Sequence, residues 1–370
     1  MSNRIASLAV LVLLGSLACG GTPTATSPSP TQIAAPSATA STSPSPSLTP
    51  TPAANGCGAP TVTPPGSAPP LVRASLAYDK ASQQFILLGV RDGGTASETW
   101  AWTAATGWQH LVPATSPPGR TWGNMAYDDA TQQIVLFGGQ SATPSGGALN
   151  PFSDTWTWDG TTWTQRTPAQ KPRAVVFMSM AYDPDAQSVI GVYDNPSANG
   201  TETWEWNGTT WAPLQAGLRP KYPKQQAGLA FSTVPAVLVE FGTVFGIGAP
   251  APDASTWTYT AGLWTPHAAS ASTPKARSAP AMSQDTGGGI LMFGGAASGG
   301  TVYGDTWSWS HKAWQKRSPH TAPRARSGAV MAYDSNCGRV LLYGGEVSSQ
   351  VTATFFKDTW LWDGQTWTKV

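Results

Sequence analysis

The sequence predicts an all-β protein built as a closed ring of six units, each of four antiparallel strands. Three observations predict it. The first is a repeat: residues 154–163 read D-T-W-T-W-D-G-T-T-W, and versions of this stretch recur with first tryptophans at Trp100, Trp156, Trp204, Trp257, Trp307 and Trp360. The gaps between those positions are 56, 48, 53, 50 and 53 residues, a period that marks repeated supersecondary units. The second is turn chemistry. Asp159-Gly160 and Asp363-Gly364 stand between tryptophan strands, and Asp-Gly suits the positive φ that a type I′ hairpin needs at both central residues. The third is a set of short strands apolar on both faces, at 134–137, 291–293 and 341–343. Such strands are covered on both sides.

The elements follow in chain order. Residues 1–18 carry one basic residue, Arg4, then a short apolar run and small residues. That is the anatomy of a secretory signal, too short for a comfortable membrane span. The run Ser16-Leu17-Ala18-Cys19 resembles a bacterial lipoprotein cleavage box, which makes Cys19 the expected lipidation site and the chain an exported protein anchored to a bacterial membrane on its extracytoplasmic side. Residues 19–68 are rich in Pro, Ser and Thr and almost uncharged. Such a segment buries too little apolar surface to offset its ordering entropy, so a disordered stalk is expected. The ring occupies 69–370, with units at about 69–119, 120–172, 173–222, 223–275, 276–323 and 324–370.

Within unit two the first strand is 123–128 (G-N-M-A-Y-D), the second 133–139 (Q-I-V-L-F-G-G), and a variable loop leads to the two tryptophan strands. The turn after each first strand carries Asp79, Asp128, Asp183, Asp285 or Asp334, with Ser232 in unit four. Asp at such a position caps its own turn through the side chain, and that role is expected here rather than metal ligation. The second strands of units two, five and six end in Gly138-Gly139, Gly294-Gly295 and Gly344-Gly345, whereas units one, three and four lack the pair.

Four-stranded units of about 50 residues, each sandwiched between copies of itself, are the signature of a β-propeller. An apolar strand closed by a double glycine, a variable loop, and a strand with a terminal Trp resemble the kelch repeat, of the kind found in the central domain of galactose oxidase. The resemblance implies a rigid ring whose loops bind proteins or glycans. Copper oxidases on this type of propeller need two His, two Tyr and a Cys crosslinked to one Tyr, and no cysteine here lies near a His–Tyr cluster. Seventeen of the 18 tryptophans belong to the repeat. A buried Trp side chain contributes up to ~5 kcal/mol by area, an upper bound because unfolded chains are compact. These rings are expected to bind the units together rather than to stack sugars.

Two further positions recur. Before each tryptophan strand stands Glu98, Asp154, Glu202, Ser255, Asp305 or Asp358. Seven residues before the landmark at the end of each first strand stands Leu71, Arg120, Val175, Lys224, Arg277 or Arg326. Arg coincides with Asp in units two, five and six, which predicts structural ion pairs Arg120–Asp154, Arg277–Asp305 and Arg326–Asp358. Units one and three carry Glu instead, with displaced arginines at Arg73 and Arg173.

Net charge of +1 and 11% charged residues give no electrostatic case for nucleic acid. His110, His267, His311 and His320 show no partnering pattern, and no G-x-S-x-G or H-E-x-x-H occurs. No catalytic residue, metal site or cofactor is therefore assigned, and a monomer is expected. Of three cysteines, Cys57 and Cys337 remain for a disulfide, as suits an exported chain. It would fasten the segment before the first unit to the last.

The innermost strands point to a binding surface. Two residues before each landmark (Tyr78, Tyr127, Tyr182, Phe231, Gln284, Tyr333) the side chain is large: Leu76, Met125, Met180, Leu229, Met282 and Met331. This parity is expected between units, and the small opposite one (Ala77, Ala126, Ala181, Ala230, Ser283, Ala332) nearer the axis. Five before the landmark, the residue diversifies into Arg73, Trp122, Phe177, Gln226, Ala279 and Gly328. Repetition does not explain a position that differs in every unit, so a lopsided ligand mouth is expected, with loops 140–153, 243–254 and 346–357 adding Phe152, Phe245, Phe355 and Phe356. The reading is a non-enzymatic binding or scaffold propeller for a protein or glycan. Its rival is a carbohydrate-active hydrolase, lyase or oxidase with a loop-assembled site.

Overall fold

A computed structural model of the chain describes residues 57, 69–142, 150–195, 200–214, 227–242, 254–298, 300–348 and 353–370. Cys19, Lys224, Gln226 and Phe245 lie outside the described residues, as does almost all of the expected leader and stalk.

Six four-stranded antiparallel sheets account for the ring. The first blade runs Leu71–Asp79, Gln84–Arg91, Glu98–Thr103 and Gly107–Leu111, each strand hydrogen-bonded to the next. The sixth runs Val330–Asp334, Arg339–Tyr343, Thr359–Trp362 and Trp367–Lys369. The innermost strands of the blades between them are Asn124–Asp128, Ser179–Asp183, Gly228–Thr233 and Ala281–Gln284. Each innermost strand lies beside the next, and Leu71–Asp79 lies beside Val330–Asp334, so the ring is closed. Variable loops and blade-to-blade links emerge together on one face, here the loop face. The tight turns between strands one and two, and three and four, emerge on the opposite hairpin face.

The hairpin-face turns are fixed by their acids. Asp79 Oδ1 accepts the N–H of Ala81 at 3.0 Å, Asp128 Oδ1 that of Ala130 at 3.0 Å, and Asp334 Oδ1 those of Asn336 and Cys337 at 3.0 Å. Ser232 substitutes with its hydroxyl, which accepts the Val234 N–H at 3.1 Å. A side-chain oxygen placed two residues before a free N–H does locally what a ladder bond does elsewhere.

The tryptophans join blades. Six apolar clusters form, one at each blade interface. At every interface the last Trp of a blade donates its indole N–H to a threonine hydroxyl of the preceding blade: Trp163 to Thr99 at 3.0 Å, Trp211 to Thr155 at 2.9 Å, Trp264 to Thr203 at 2.9 Å. Trp314 does so to Thr256 at 2.7 Å, Trp367 to Thr306 at 3.0 Å, and Trp108 to Thr359 at 2.8 Å. That threonine is always the residue before the first Trp of its blade, and the last pair closes the ring. The buried N–H is thereby satisfied, removing a cost of about 1–3 kcal/mol that an unpaired donor would carry.

Among the described residues, no strand is shared between first and last blades. Closure uses the same Trp–Thr bond as every other interface, with Tyr343 donating its hydroxyl to the Pro69 carbonyl, and the Cys57–Cys337 disulfide, whose Cα atoms are 5.2 Å apart.

The axial channel departs from expectation. Leu76, Met125, Met180, Leu229, Met282 and Met331 do pack between blades, yet they also form a ring that narrows the lumen and is reached from both sides. The small residues Ala77, Ala126 and Ala181 each face the large side chain of the following blade. Inner strands are inclined to the axis, so a long side chain on the inter-blade face still reaches the lumen, and an alanine on the other face does not fill it.

Candidate functional site at the loop face

Three arginines build the scaffold of this face. Arg120, Arg277 and Arg326 are fully buried, at 2%, 0% and 0% exposure, which for a guanidinium demands paired donors. Arg120 donates to both carboxylate oxygens of Asp154 at 2.8 and 2.7 Å, to the Gly138 carbonyl at 2.9 Å and to the Pro118 carbonyl at 3.2 Å. Arg277 repeats this with Asp305 (2.6 and 3.0 Å), Gly294 and Lys275, and Arg326 with Asp358 (2.5 and 3.0 Å), Gly344 and Arg324. In each assembly the first Trp of the blade donates to the same carboxylate, at 2.7 to 2.8 Å. Burial opposes charge on Asp154, Asp305 and Asp358, but the arginine and indole hydrogen bonds outweigh it and hold all three below the usual carboxylate range.

The double glycines belong to these assemblies. Gly294 and Gly295 have φ of 69° and 100°, and a Cβ on Gly294 would stand 2.4 Å from the Arg326 carbonyl. The first glycine carbonyl receives the guanidinium, which explains why the pair and the arginine occur in the same blades.

Blades one and three solve the same problem with other donors. Glu98 pairs with Arg91 and accepts Trp100 Nε1 at 3.0 Å. Glu202 accepts the Tyr193 hydroxyl, the Asn195 amide and Trp204 Nε1. Burial opposes charge there too, and those three donors together with Arg173 keep its carboxyl low.

Phe152 and Phe356, expected as walls of the mouth, instead cover the structural arginines. Phe152 lies over Arg120 at 4.3 Å and Phe356 over Arg326 at 4.0 Å, with Tyr303 over Arg277 at 4.2 Å. Neither phenylalanine lines the cavity at the mouth. A flat cation sealed from water on one side by an aromatic face gains from the ring quadrupole.

Arg73, Trp122, Phe177 and Phe355 do come together, and of these Trp122 and Phe177 line the cavity at the channel mouth. Arg73 sits at a β-bulge between Val72 and Ser75, and bulges re-aim side chains. Its Nε donates to Glu346 Oε2 at 3.1 Å, and its guanidinium carbon lies 5.2 Å from the Trp122 ring and 5.5 Å from that of Phe355. Trp122 meets Phe177 edge-on at 5.5 Å and reaches across to blade six, where a Cβ on Gly328 would lie 3.3 Å from its ring. Four of the six diversified positions take left-handed backbone: Arg73 (48°), Trp122 (62°), Ala279 (49°) and Gly328 (64°). The Trp122 N–H donates to the Arg73 carbonyl and that of Gly328 to Ala279, both at 3.0 Å. Left-handed backbone costs a residue with a Cβ about 1–2 kcal/mol, so a bulky tryptophan there is held by its surroundings. Beneath it a cavity of about 100 Å3 opens toward Ala279, Gly328 and Val330, the small side of the mouth.

Sequence reasoning missed Glu346 as the partner of Arg73. It also missed Tyr303, which sits at the loop position equivalent to Phe152 and Phe356. The threonine before each first Trp is a signal that was present in all six repeats. The four histidines stay on outer strands, an outer hairpin turn (His311) or links of blades one, four and five; His267 Nε2 lies 2.9 Å from the Thr258 hydroxyl. Among the described residues, no group of three or more His, Cys, Asp or Glu is placed to hold a metal ion.

Fold and site thus define a six-bladed β-propeller with an asymmetric, aromatic mouth on its loop face. A solved structure titled "Structure of YjhT" is similar to this chain, with a TM-score of 0.62 at 15% identity, covering 82% of this chain and 99% of that one. At that identity the likeness concerns the fold alone. No protein-family model and no curated protein matches the sequence.

Proposed function

We propose that the chain is an exported, lipid-anchored, kelch-type propeller that binds a protein or glycan ligand at the loop face without transforming it. Support for the kelch assignment comes from the double glycines and terminal tryptophans, and for export and anchoring from the leader and Cys19. The single observation that carries the binding site is Trp122. It is the one tryptophan outside the repeat, it holds a left-handed backbone, and it stands half-buried beside Arg73 at the channel mouth. The rest of the ring repeats; this position breaks the repetition with the residue types that dominate interaction hot spots.

The test is a glycan-array and pull-down screen with the mature chain, repeated with Arg73→Ala and Trp122→Ala. Each variant should lose at least tenfold in affinity for whatever wild type captures, with a melting temperature within a few degrees of wild type. A ligand consumed during the assay would replace binding with catalysis. Loss of folding without a specific loss of binding would reduce Trp122 to a plug.

A further inference from the structure

The hairpin face carries a second cavity that the reading above does not use. It measures about 320 Å3 and is the larger of the two channel ends. Its walls are the ends of the six innermost strands: Tyr78, Tyr127, Tyr182, Phe231, Gln284 and Tyr333. Its floor is the ring of Leu76, Met125, Met180, Leu229, Met282 and Met331.

We propose that this chamber binds a small uncharged aromatic or cyclic molecule, seated on the methionine floor within the aromatic wall. Three features favour a ligand over water. First, three of the four wall tyrosines lean toward a neighbouring blade. Tyr78 faces Asp334, while Tyr127 and Tyr182 face the backbone of Ala81 and Ala130 in the preceding turns. More of the lining is apolar than polar, with the charged pair at the rim, so water over the methionine floor has few of the two to four partners it needs to be held. Weakly held water is readily displaced by an apolar group. Second, the volume lies at the lower end of the range that small-molecule pockets occupy, roughly 300–1,000 Å3. Third, methionine is polarisable and unbranched, so four of them give a floor that adapts to ring edges.

Charge selects for a neutral ligand. The charged lining groups are Lys80 and Asp129, and they neutralise each other at 2.5 Å on the rim, with Lys80 Nζ 5.8 Å from the Tyr127 ring. Behind the wall, the turn acids Asp79, Asp128, Asp285 and Asp334 bear on the tyrosines, so an anion is disfavoured in the apolar interior. Selectivity within neutral rings would come from Thr233, Ser283 and Gln284, the polar positions on the side of blades four and five.

The test uses the mature chain labelled with [methyl-13C]methionine and titrated with indole, 4-methylphenol, benzoate and glucose. The methyl signals of Met125, Met180, Met282 and Met331 should shift saturably with indole and 4-methylphenol. The signal of Met292, buried in a second strand, should stay in place. Benzoate and glucose should bind at least tenfold more weakly. Gln284→Trp, which fills the chamber from its rim, should weaken indole binding at least tenfold. The wild-type titration stands even where that variant fails to fold. Non-saturating shifts, shifts confined to Met178 at the loop-face cavity, or benzoate binding as tightly as indole would each overturn the proposal.

Discussion

Replacing Arg277 by methionine tests the arginine assemblies directly. Methionine nearly matches the length of the side chain, so the change removes hydrogen bonds rather than opening a large void. What is lost is four bonds, two to Asp305, one to Gly294 and one to Lys275, and the face of Tyr303 loses its cation. Asp305 remains with the Trp307 N–H as its remaining side-chain donor and with 19% side-chain exposure. Breaking a buried pair from one side costs about 3–5 kcal/mol, and the partial access of water to Asp305 places the expected value near 3 kcal/mol. Arg91→Met is the internal control, because Arg91 is 54% exposed and exposed pairs contribute about 0–1 kcal/mol.

The pH dependence gives a second readout. Asp305 has a folded pKa below its unfolded value, so its contribution is present above the unfolded pKa of about 3.9 and is lost as pH falls through the folded one. In Arg277→Met the arginine's contributions are gone and burial is opposed only by the Trp307 N–H and the backbone, so the folded pKa rises from its wild-type position. The variant then gains relative stability as pH drops below about 4, and the gap to wild type narrows. Urea unfolding at pH 7 and at about pH 3 measures both quantities. A loss under 1 kcal/mol at pH 7, or a gap that does not narrow in acid, would refute the assignment of these arginines as buried structural clasps.

At the closing interface, Thr359→Val should cost about 1–3 kcal/mol by stranding the Trp108 N–H, and a Trp108→Phe/Thr359→Val cycle should show positive coupling in thermal unfolding. Non-reducing mass spectrometry of exported protein should find Cys57 bonded to Cys337. Cys337→Ser should leave the ring folded while costing up to ~5 kcal/mol, the chain-entropy value for so long a loop. Cys19→Ser should release the protein from membranes or leave it unprocessed, as read by fractionation.

The sequence carries the ring because a period of about 50 residues, turn acids and two-sided apolar strands are local signals. The arginine–aspartate relation is legible as a correlation between repeats, since both partners recur at fixed offsets. The third members recur as well, since Phe152, Tyr303 and Phe356 each stand two residues before the aspartate in the same three blades. Their role is not legible, because only folding shows that their rings cover guanidiniums. Axial parity fails for a related reason. Alternation sorts Met125 and Ala126 onto opposite faces of a blade, but it does not say how far each reaches toward the axis. The hairpin-face chamber is hidden in the same way: Tyr78 and its counterparts read as strand ends, and their assembly into a wall needs six strands contributed by the whole chain.

The disulfide and the candidate mouth stand on opposite faces of the ring. Cys337 lies in a hairpin-face turn, so the bridge holds Cys57 on the side away from the Trp122 rim. A covalent clasp there can be cut without touching a residue of the mouth. With the bridge reduced, closure would rest on the Trp108–Thr359 and Tyr343–Pro69 hydrogen bonds and on the apolar packing between blades six and one.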